Sequence, residues 1–459
     1  MIKLPHFFVL GLLLTQVTNA QEMIEFSGFG VIGVTTSTSD TYKYRNDVSY
    51  NDGVGGGDWD LKAISNLGLQ IDVTASDKLS STFQAVIKDR TKTNFDKYLS
   101  QAFFKYKITP QWEVRAGRTP LDLFALSEYR DINFAYPWAV TPNEVYGVIP
   151  HRNLDGLDLT YTSRLLGGNS HTRIFYGKSQ SEASLGEFLE VVKTKNIRGL
   201  SFDWSTLNWS FVVKHTLFEF SSNPKTYAPI AAAINNVASG ANQVGAAAVN
   251  RGLGFAIPEL LPNGVLWDDS SLALDKVSMD GKSGDYSSIS ASYHWLQFGL
   301  SAEVSQIESE SAVMPDIQSG FISTTYMVGK STFYAVLASI NTEPETFDSS
   351  GVSTLLSDSN SPLGQSSLVG AELSEQFAKL QAAYGLAIQG VDDSLTAYAA
   401  DQTTLSIGWR YDLKENMALK VQIDHTRIAD SGGTLWFQKQ RNSSAESVNT
   451  LFVTLGFTF

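Results

Sequence analysis

Charged side chains of both signs are concentrated in one part of this 459-residue chain, between residues 88 and 131. Basic residues stand at alternate positions of strand-like segments, and a stretch rich in aromatic, proline and charged residues follows them. Guanidinium and ammonium groups in a narrow, partly dehydrated channel lower the barrier for anions and raise it for cations. Arginine also binds carboxylate or phosphate through two parallel hydrogen bonds. The candidate residues are Lys88, Arg90, Lys105, Lys107, Arg115, Arg118, Asp122, Glu128, Arg130 and Asp131.

Acidic residues occupy similar positions, which leaves a second interpretation open. Charges of opposite sign on neighbouring strands can pair and hold a wall rigid, so the pattern fits either an anion pathway or a salt-bridged wall. The further basic residues placed on the inner faces or beside the charged stretch are Arg152, Arg173, Lys214, Lys379, Arg410 and Lys420. The acidic ones are Asp72, Glu113, Glu144, Asp203, Glu303, Asp412 and Asp424.

These side chains must be positioned by β-strands, because apolar residues recur at every second position along most of the chain. The alternation is clear in residues 67–73, 102–108, 298–304 and 405–411. Short turns alternate with long loops, and such an asymmetry is typical of a transmembrane barrel. The long loops are expected at 37–60, 119–152, 219–284 and 390–401.

We predict an all-β fold, a transmembrane antiparallel β-barrel of eighteen strands. Segments of roughly ten residues fit tilted strands that cross a bilayer, and lipid permits no open sheet edge. Sixteen strands is the alternative, because the segment 366–389, interpreted as a hairpin, could instead belong to a loop. A soluble sandwich or propeller fits less well, because the apolar faces end in aromatic residues and the opposite faces are polar.

The stretch 119–152 is predicted to be a third external loop that folds into the lumen and narrows it. Loops of this length without regular structure are usually functional, and an ordered surface loop is the alternative. Its aromatic side chains are expected mainly to pack the loop against the wall. The second long loop, 219–284, contains an Ala-rich run at 229–249 that predicts a short helix.

The N-terminus predicts export. A lysine, a short apolar run and a small-residue cleavage site make residues 1–20 a secretory signal peptide, and residues 21–459 are expected to form one barrel domain. The chain has no cysteine and a formal net charge of −13. An acidic balance argues against nucleic acid as a partner, because phosphate neutralisation needs clustered basic residues.

Other chemistry has weaker support in the residue spacing. The run from Gly28 to Gly33 matches the dinucleotide fingerprint as text, but no helix pattern follows it. The six histidines lack metal-ligand spacing and no nucleophile motif accompanies them. A barrel hydrolase would need an outward Ser–His pair with an orienting polar residue. We therefore expect no catalytic residue, no metal and no cofactor.

Three features together resemble Gram-negative outer-membrane porins, most closely the group related to the phosphate-selective porins O and P. They are the strand end Arg115–Arg118 leading into the segment 136–147, the last hairpin at 418–427, and the closing strand 451–459 with its terminal Phe. The resemblance implies a homotrimer, a constriction by the third loop and passive diffusion. Phosphate selectivity does not carry over, because the charges here are mixed and the chain is acidic.

The sequence thus predicts a porin in contact with outer-membrane lipid. We expect passive diffusion of small hydrophilic solutes with a mild anion preference. The alternative is a barrel closed to solutes, either structural or lipid-hydrolysing.

Overall fold

The computed structural model describes residues 24–50, 52–89, 95–185, 188–260, 263–349, 351–439 and 444–459. The predicted signal peptide, residues 1–20, and Arg90 lie outside the described residues. The long-loop end of the barrel is called the external end.

The described residues form seventeen strands, all paired antiparallel. In chain order they are β1 (Ile24–Ser37), β2 (Trp59–Asp60), β3 (Asn66–Thr74), β4 (Leu79–Lys88), β5 (Leu99–Lys107), β6 (Trp112–Pro120), β7 (Asn153–Leu165), β8 (Gly168–Leu185), β9 (Phe188–Ser205), β10 (Trp209–Phe220), β11 (Ser283–Trp295), β12 (Phe298–Ser309), β13 (Asp316–Val328), β14 (Ser331–Glu343), β15 (Ala400–Lys414), β16 (Met417–Gly433) and β17 (Glu446–Thr458).

The sheet closes on itself, because β1 pairs with β3 on one side and with β17 on the other. Sixteen strands make the wall, and the short β2 pairs only with the external end of β1. The predicted all-β antiparallel barrel is therefore confirmed. Its wall has sixteen strands, which was the alternative to the eighteen predicted. The hairpin expected at 366–389 was wrong, because this segment lies in helices.

The helices belong to the connections between strands. They are α1 (Phe95–Tyr98), α2 (Asn143–Tyr146), α3 (Tyr227–Asn250), α4 (Ser271–Lys276), α5 (Thr354–Ser357), α6 (Ser366–Val369) and α7 (Ala371–Leu395), with 3-10 turns at Asn133–Ala135, Leu253–Phe255, Pro258–Leu260 and Pro362–Gly364. None of the described helices is both long and apolar enough to cross a membrane.

Helices α3 and α7 pack against each other and form a helical cap over the external ends of several strands. Buried residues of α3, such as Val237 and Ala241, share one apolar cluster with Phe377 and Val391 of α7. The same cluster includes Phe220 at the end of β10. The Ala-rich run of the loop after β10 is thus one side of this cap.

Seven external loops are numbered L1 (38–65), L2 (89–98), L3 (121–152), L5 (221–282), L6 (310–315), L7 (344–399) and L8 (434–445). The strands beside them differ greatly in length. Strands β3, β5 and β6 have nine residues each, whereas β8 and β9 have eighteen. The wall is therefore low along β3–β6 and high along β8–β9.

The seam between β1 and β17 is closed by aromatic rings that lie over glycines. A Cβ atom on Gly28 would lie 2.3 Å from a ring carbon of Phe459, and one on Gly30 would lie 2.7 Å from the ring of Phe457. Glycine is needed at both positions because the rings occupy the side-chain space.

The outer face of the wall is apolar and exposed. Large hydrophobic side chains point outward from strands all around the barrel, including Phe104, Leu200, Trp295, Phe333 and Ile407. Exposed apolar surface on this scale requires an apolar surrounding, and a closed barrel is the form in which a sheet can satisfy its backbone within lipid. The barrel therefore spans a membrane.

Candidate pore and constriction loop

Loop L3 runs into the barrel and crosses its lumen, as predicted for a third external loop. Its residues hydrogen-bond to inward side chains of β4, β6, β8–β16 and to neighbouring loops. Most of its apolar residues, including Phe124, Trp138, Val145 and Tyr146, are buried in one core cluster with inward wall residues. The loop therefore divides the lumen into two unlike sides.

On one side, basic residues of β15 and β16 hold L3 by its backbone. The buried ammonium group of Lys420 donates to the carbonyl oxygens of Asn133 (2.5 Å), Tyr136 (2.7 Å) and Trp138 (2.8 Å). Arg410 donates to the carbonyl oxygens of Phe134 (2.9 Å) and Tyr136 (3.0 Å). Lys420 and Arg410 were predicted to face inward; here their donors are used by the loop rather than offered to a solute.

The same side is sealed by aromatic and apolar contacts. Trp138 donates its indole N–H to Ser323 Oγ at 2.9 Å, and its ring centroid lies 5.3 Å from that of Phe321. Tyr146 donates to the carboxylate of Glu303. The inner faces of β12–β14 are therefore largely apolar beneath the loop, although a polar inner face was expected for every strand. The buried inward residues beneath the loop are Ile307, Ile317, Phe321, Tyr334, Val336, Ala338 and Ile340.

On the other side, a chain of ion pairs links L3 to the wall. Lys214 of β10 pairs with Asp122, which also accepts from Arg173 at 3.1 Å. Arg173 pairs with Glu128 at 2.9 Å, and Glu128 accepts from Arg115 at 3.3 Å. This charge ladder ends with Arg115 Nε on Asp158 at 3.0 Å. Burial alone would raise the pKa of Asp122, but Lys214 and Arg173 outweigh it and lower the pKa to about 2.

A second ion cluster joins L1, L3 and β4 near the external end. Asp131 accepts from Lys88 at 2.9 Å and from Arg152 at 2.8 Å, and Arg152 also pairs with Asp47 of L1. Burial would raise the pKa values of Asp47 and Asp131, but Arg152 and Lys88 hold both well below the usual range. Both carboxylates are therefore charged at neutral pH and fix the outer part of L3.

The wall opposite this side of the loop is polar. Gln84 donates to Gln70 Oε1 at 2.7 Å, Gln70 donates to Asp72 at 2.7 Å, and Ser100 donates to Gln84 at 2.7 Å. Gln101 stands opposite Gln84. Between this wall and L3 lies a polar cleft of about 30 Å³, whose lining includes Gln84, Ser100, Gln101, Glu128, Asp131 and Arg152.

A larger crevice of about 380 Å³ opens at the external end of β6–β9, where the low wall meets the high one. It shares Arg152 and Asn153 with the polar cleft, so the two spaces adjoin. Its lining is mainly polar. The basic residues that line it are Lys97, Arg118, Arg152, Lys178, Lys193 and Lys195, and the acidic ones are Asp155 and Glu182.

The predicted site residues do not all lie together. Glu128, Arg130 and Asp131 line the polar cleft. Arg115 pairs with Glu128, and Lys88 pairs with Asp131. Asp122 is buried on the β8–β10 side, and Arg130 is buried within L3, where it donates to the carbonyl oxygen of Tyr146 at 2.9 Å. Lys105 pairs with Glu113 at 3.9 Å and Lys107 is exposed; both lie toward the end opposite L3. Arg118 donates to Asp155 at 2.7 Å at the rim.

One inward assignment was wrong. Lys379 lies on α7, where it is exposed and pairs with Glu375 one helical turn away at 2.7 Å. Sequence reasoning also missed Asp47 and Asp158, which complete the two ion clusters. Asp158 could have been predicted, because it stands opposite Arg115 on the neighbouring strand and alternation places it on the inner face. The position of Asp47 could not have been predicted from the residues around it.

Within the described ranges, no group of three or more His, Cys, Asp or Glu side chains could hold a metal ion. Asp122 and Asp131 instead pair with basic side chains, whereas Glu144 and Glu303 accept hydrogen bonds from neutral donors. The chemistry available there is electrostatic and hydrogen-bonding.

No protein-family model matches this chain, and no curated protein matches it. Solved structures do. The outer membrane channel DcaP of Acinetobacter baumannii is 10% identical, with a TM-score of 0.50, over 96% of this chain and 98% of that one. The anion-selective porin from Comamonas acidovorans is 11% identical, with a TM-score of 0.49, over 95% and 100%. A trimer form of OmpT, an outer membrane protein of Vibrio cholerae, is 10% identical, with a TM-score of 0.46, over 95% and 100%.

At these identities the likeness to DcaP speaks for the fold alone. Together with the closed sheet and its apolar outer belt, it defines the fold class: a transmembrane β-barrel with the fold of an outer-membrane channel.

Proposed function

We propose that the chain is a porin that passes small hydrophilic solutes down their gradient along one side of L3. The observation that carries the proposal is the unequal division of the lumen. The side facing β12–β14 is filled mainly by buried apolar residues, whereas the side facing β3–β6 is lined by amides, hydroxyls and paired charges. Water and polar solutes prefer the second side, because an apolar, close-packed interface offers them no hydrogen bonds.

The proposed path enters through the crevice at the rim and continues along the polar cleft. The charge ladder along this path is largely paired, so its field on a passing ion is small. At the crevice, six basic residues meet two acidic ones. A surplus of cations at a mouth raises the local concentration of anions. A mild anion preference is therefore part of the proposal.

Two finer points belong to the same proposal. A relation to the phosphate-selective porin group rests on the strand end Arg115–Arg118 and the loop segment 136–147. A homotrimer rests on the same resemblance and on the trimer form of OmpT among the structural neighbours. Cross-linking of the purified protein in mild detergent would give a ladder ending at three copies; a ladder ending at one copy would contradict the trimer.

The direct test is conductance of the purified protein in a planar bilayer under a salt gradient. We expect discrete channels and a reversal potential displaced toward the anion side. Cation selectivity would overturn the anion preference, and absence of conductance would overturn the porin.

The absence of cysteine allows the path itself to be mapped. A cysteine in place of Gln101, which lines the polar cleft, should lose conductance on reaction with a bulky, water-soluble thiol reagent. The matched control is Thr324→Cys, which is exposed on the outer face. Unchanged conductance in labelled Q101C would place the path elsewhere.

One observation favours the lipid-hydrolysing alternative enough to test it. On the exposed outer face, His215 Nδ1 lies 2.9 Å from Ser287 Oγ on the neighbouring strand. A base within hydrogen-bond reach of a hydroxyl is the first requirement of nucleophilic catalysis. A catalytic pair also needs a polar residue that orients the base. The His215–Ser287 pair lacks one, because no described residue hydrogen-bonds to the other ring nitrogen of His215.

We therefore propose conduction ahead of hydrolysis. Fatty-acid release from phospholipid vesicles would decide between them, with Ser287→Ala as the variant and His425→Gln, an outward histidine bound to Asn449, as the control. We expect the unaltered chain to release no more fatty acid than the Ser287→Ala variant does. Release that disappears in Ser287→Ala alone would establish the hydrolase.

A further inference from the structure

Three neighbouring turns at the short-turn end of the barrel, opposite the external end, each carry an exposed leucine. Leu166 lies between β7 and β8, Leu207 between β9 and β10, and Leu296 between β11 and β12. These residues are 86%, 95% and 80% exposed, respectively. The turns that contain them hold no charged residue and are called the leucine turns.

Three of the other four short turns carry charge. Asp77 and Lys78 lie between β3 and β4, Lys330 between β13 and β14, and Glu415 between β15 and β16. Charged residues at a turn are stable in water, whereas a leucine gains free energy when it leaves water. The sector with the leucine turns therefore indicates contact with an apolar surrounding.

Two of the leucines stand where the backbone disfavours them. Leu166 and Leu296 are the first residues of two-residue turns, with φ of 51° and 52°. Such turns favour glycine, asparagine or aspartate, because a larger side chain is crowded at positive φ. Gly329 occupies the corresponding position of the β13–β14 turn, with φ of 59°. A leucine at such a position, exposed on the barrel, points to a favourable contact outside the chain.

The apolar part of the outer face is short on the strands that lead into these turns. Outward polar residues begin at His215 on β10, Ser287 on β11 and Gln306 on β12, which are cross-strand neighbours. On β12 the outward apolar residues are confined to the range 298–304. Seven residues at a tilt near 40° rise about 18 Å, whereas the apolar band of an outer-membrane barrel is about 25 Å tall. The band on this sector must therefore extend past the strand ends to reach its usual height.

The leucine turns supply the missing height. The span from Leu296 to Val304 is nine residues, the length of β3, β5 and β6. Trp209, Trp295 and Phe298 are exposed on the outer face beside the leucines. The apolar surface therefore continues without a break from the membrane-facing belt to the turns.

Polar groups of these turns are bonded within the barrel. Asn208 Nδ2 donates to the carbonyl oxygen of His294 at 2.7 Å, and the His294 backbone N–H donates to the carbonyl oxygen of Asn208 at 2.9 Å. The indole N–H of Trp204 donates to the carbonyl oxygen of Leu165 at 2.8 Å. Backbone groups that already have partners enter an apolar layer at a lower cost than free ones.

From these observations we propose that the leucine turns insert into the lipid leaflet at the short-turn end and anchor this sector of the barrel there. The acyl chains of the lipid are the partner, and the charged turns of the other sector stay in water. This contact is separate from the solute path, and it stands whether or not the barrel conducts ions.

Because the chain lacks cysteine, a single nitroxide label can report the surroundings of one turn. Gln297→Cys places the label in the β11–β12 turn and leaves all three leucines intact. The matched control is Lys330→Cys, because each of these residues is the second of an exposed two-residue turn. Each full-length variant is reconstituted in phosphatidylcholine bilayers, and its folding is checked by heat-dependent migration on gels.

Power saturation compares collisions of the label with oxygen, which concentrates among acyl chains, and with a water-soluble nickel chelate. We expect the oxygen-to-nickel ratio at Gln297→Cys to be at least about threefold that at Lys330→Cys, as for a group at the boundary of headgroups and acyl chains. Adding Leu166→Ser, Leu207→Ser and Leu296→Ser together should lower the ratio at Gln297→Cys to that of the control.

Equal ratios at the two labels, with the leucines intact, would overturn the insertion. Few collisions with either reagent at Gln297→Cys would mean that a second copy of the chain covers the turn, and would overturn lipid as the partner. A ratio that the three serines leave unchanged would overturn the role of the leucines.

Discussion

The two sides of L3 are held by opposite means. Toward β11–β16, the loop offers backbone carbonyls to Lys420 and Arg410 and buries aromatic rings against apolar wall residues. Toward β3–β10, it offers carboxylates that pair with Arg115, Arg173 and Lys214. The first attachment is dry and rests on backbone carbonyl oxygens and buried aromatic rings of the loop. The second depends on charges that adjoin a polar space.

The two sides of L3 therefore have different roles: one holds the loop in place, and the other lines the proposed solute path. A close-packed, backbone-anchored side fixes the position of the loop, whereas a paired-charge side can face water without collapsing. Changes on the first side should therefore alter stability, and changes near the cleft should alter selectivity. Four experiments test this division.

Lys420→Met should have the largest effect, because it leaves the carbonyl oxygens of Asn133 and Trp138 buried without a donor and leaves that of Tyr136 only the bond from Arg410. We expect a loss of about 3 kcal/mol or more in the free energy of unfolding, measured by denaturant titration in detergent. Lys414→Met, at an exposed position of β15, is the control. A loss below about 1 kcal/mol would mean that Lys420 does not anchor the loop.

Asp122→Asn should cost less, about 2 kcal/mol, because the amide still accepts a hydrogen bond while Lys214 loses its counter-charge. The pKa of Asp122 is lowered to about 2, so the unaltered chain should keep this contribution above pH 4 and lose it as the pH falls toward 2. Unfolding titrations between pH 7 and 2 check both points. Asp77→Asn in an exposed turn should change neither, and a variant with the same acid dependence as the unaltered chain would refute the assignment.

His151 of L3, whose Nδ1 lies 2.9 Å from Ser179 Oγ of β8, gives a third, smaller effect. Burial, with the nearby charge of Lys97, lowers its pKa to about 4, whereas an unfolded histidine has a pKa of about 6.5. The unfolded chain therefore binds the proton first, and stability should fall by about 1–2 kcal/mol between pH 6.5 and 5. His151→Gln should flatten this slope in unfolding titrations, and His171→Gln, at an exposed position, should preserve it. An unchanged slope in His151→Gln would contradict the neutral, buried ring.

Glu128→Gln should have the smallest effect on stability and the clearest effect on selectivity. Its side chain is 46% exposed, so its pairs with Arg115 and Arg173 are worth less than about 1 kcal/mol. Two guanidinium groups would lose a counter-charge beside the cleft, and the reversal potential should move toward anions. Glu308→Gln removes the same charge from an exposed position outside the lumen. An equal shift in both variants would place the path away from Glu128.

The barrel architecture could be predicted from the sequence, because apolar residues at every second position and the alternation of short turns with long loops are local signals. The misassigned segment also held a local signal. Buried Leu373, Phe377, Val391 and Leu395 of α7 fall at helical spacing, but apolar residues at alternate positions between 380 and 388 imitate a strand. The longer, helical pattern was the more reliable one.

The apolar filling of the lumen next to β14 could also have been predicted in part from the sequence. Strand β14 contains the nearly continuous apolar run 333–338, which is typical of a strand covered on both faces. The ion clusters were not visible in this way. Asp47 meets Arg152 only because L1 and L3 both fold inward, and alternation along strands says nothing about the course of loops.

The unequal height of the wall has a consequence for the membrane around it. Nine residues of β3, β5 or β6 extend about 30 Å, and at a tilt near 40° they rise only about 23 Å, roughly the height of the apolar band of an outer-membrane barrel. The eighteen-residue strands β8 and β9 rise about twice as far. Hydrophobic matching is therefore set by the short strands alone. A bilayer whose hydrocarbon core is thicker than the height of this sector must become thinner beside it. The bilayer should therefore be most deformed next to the rim crevice.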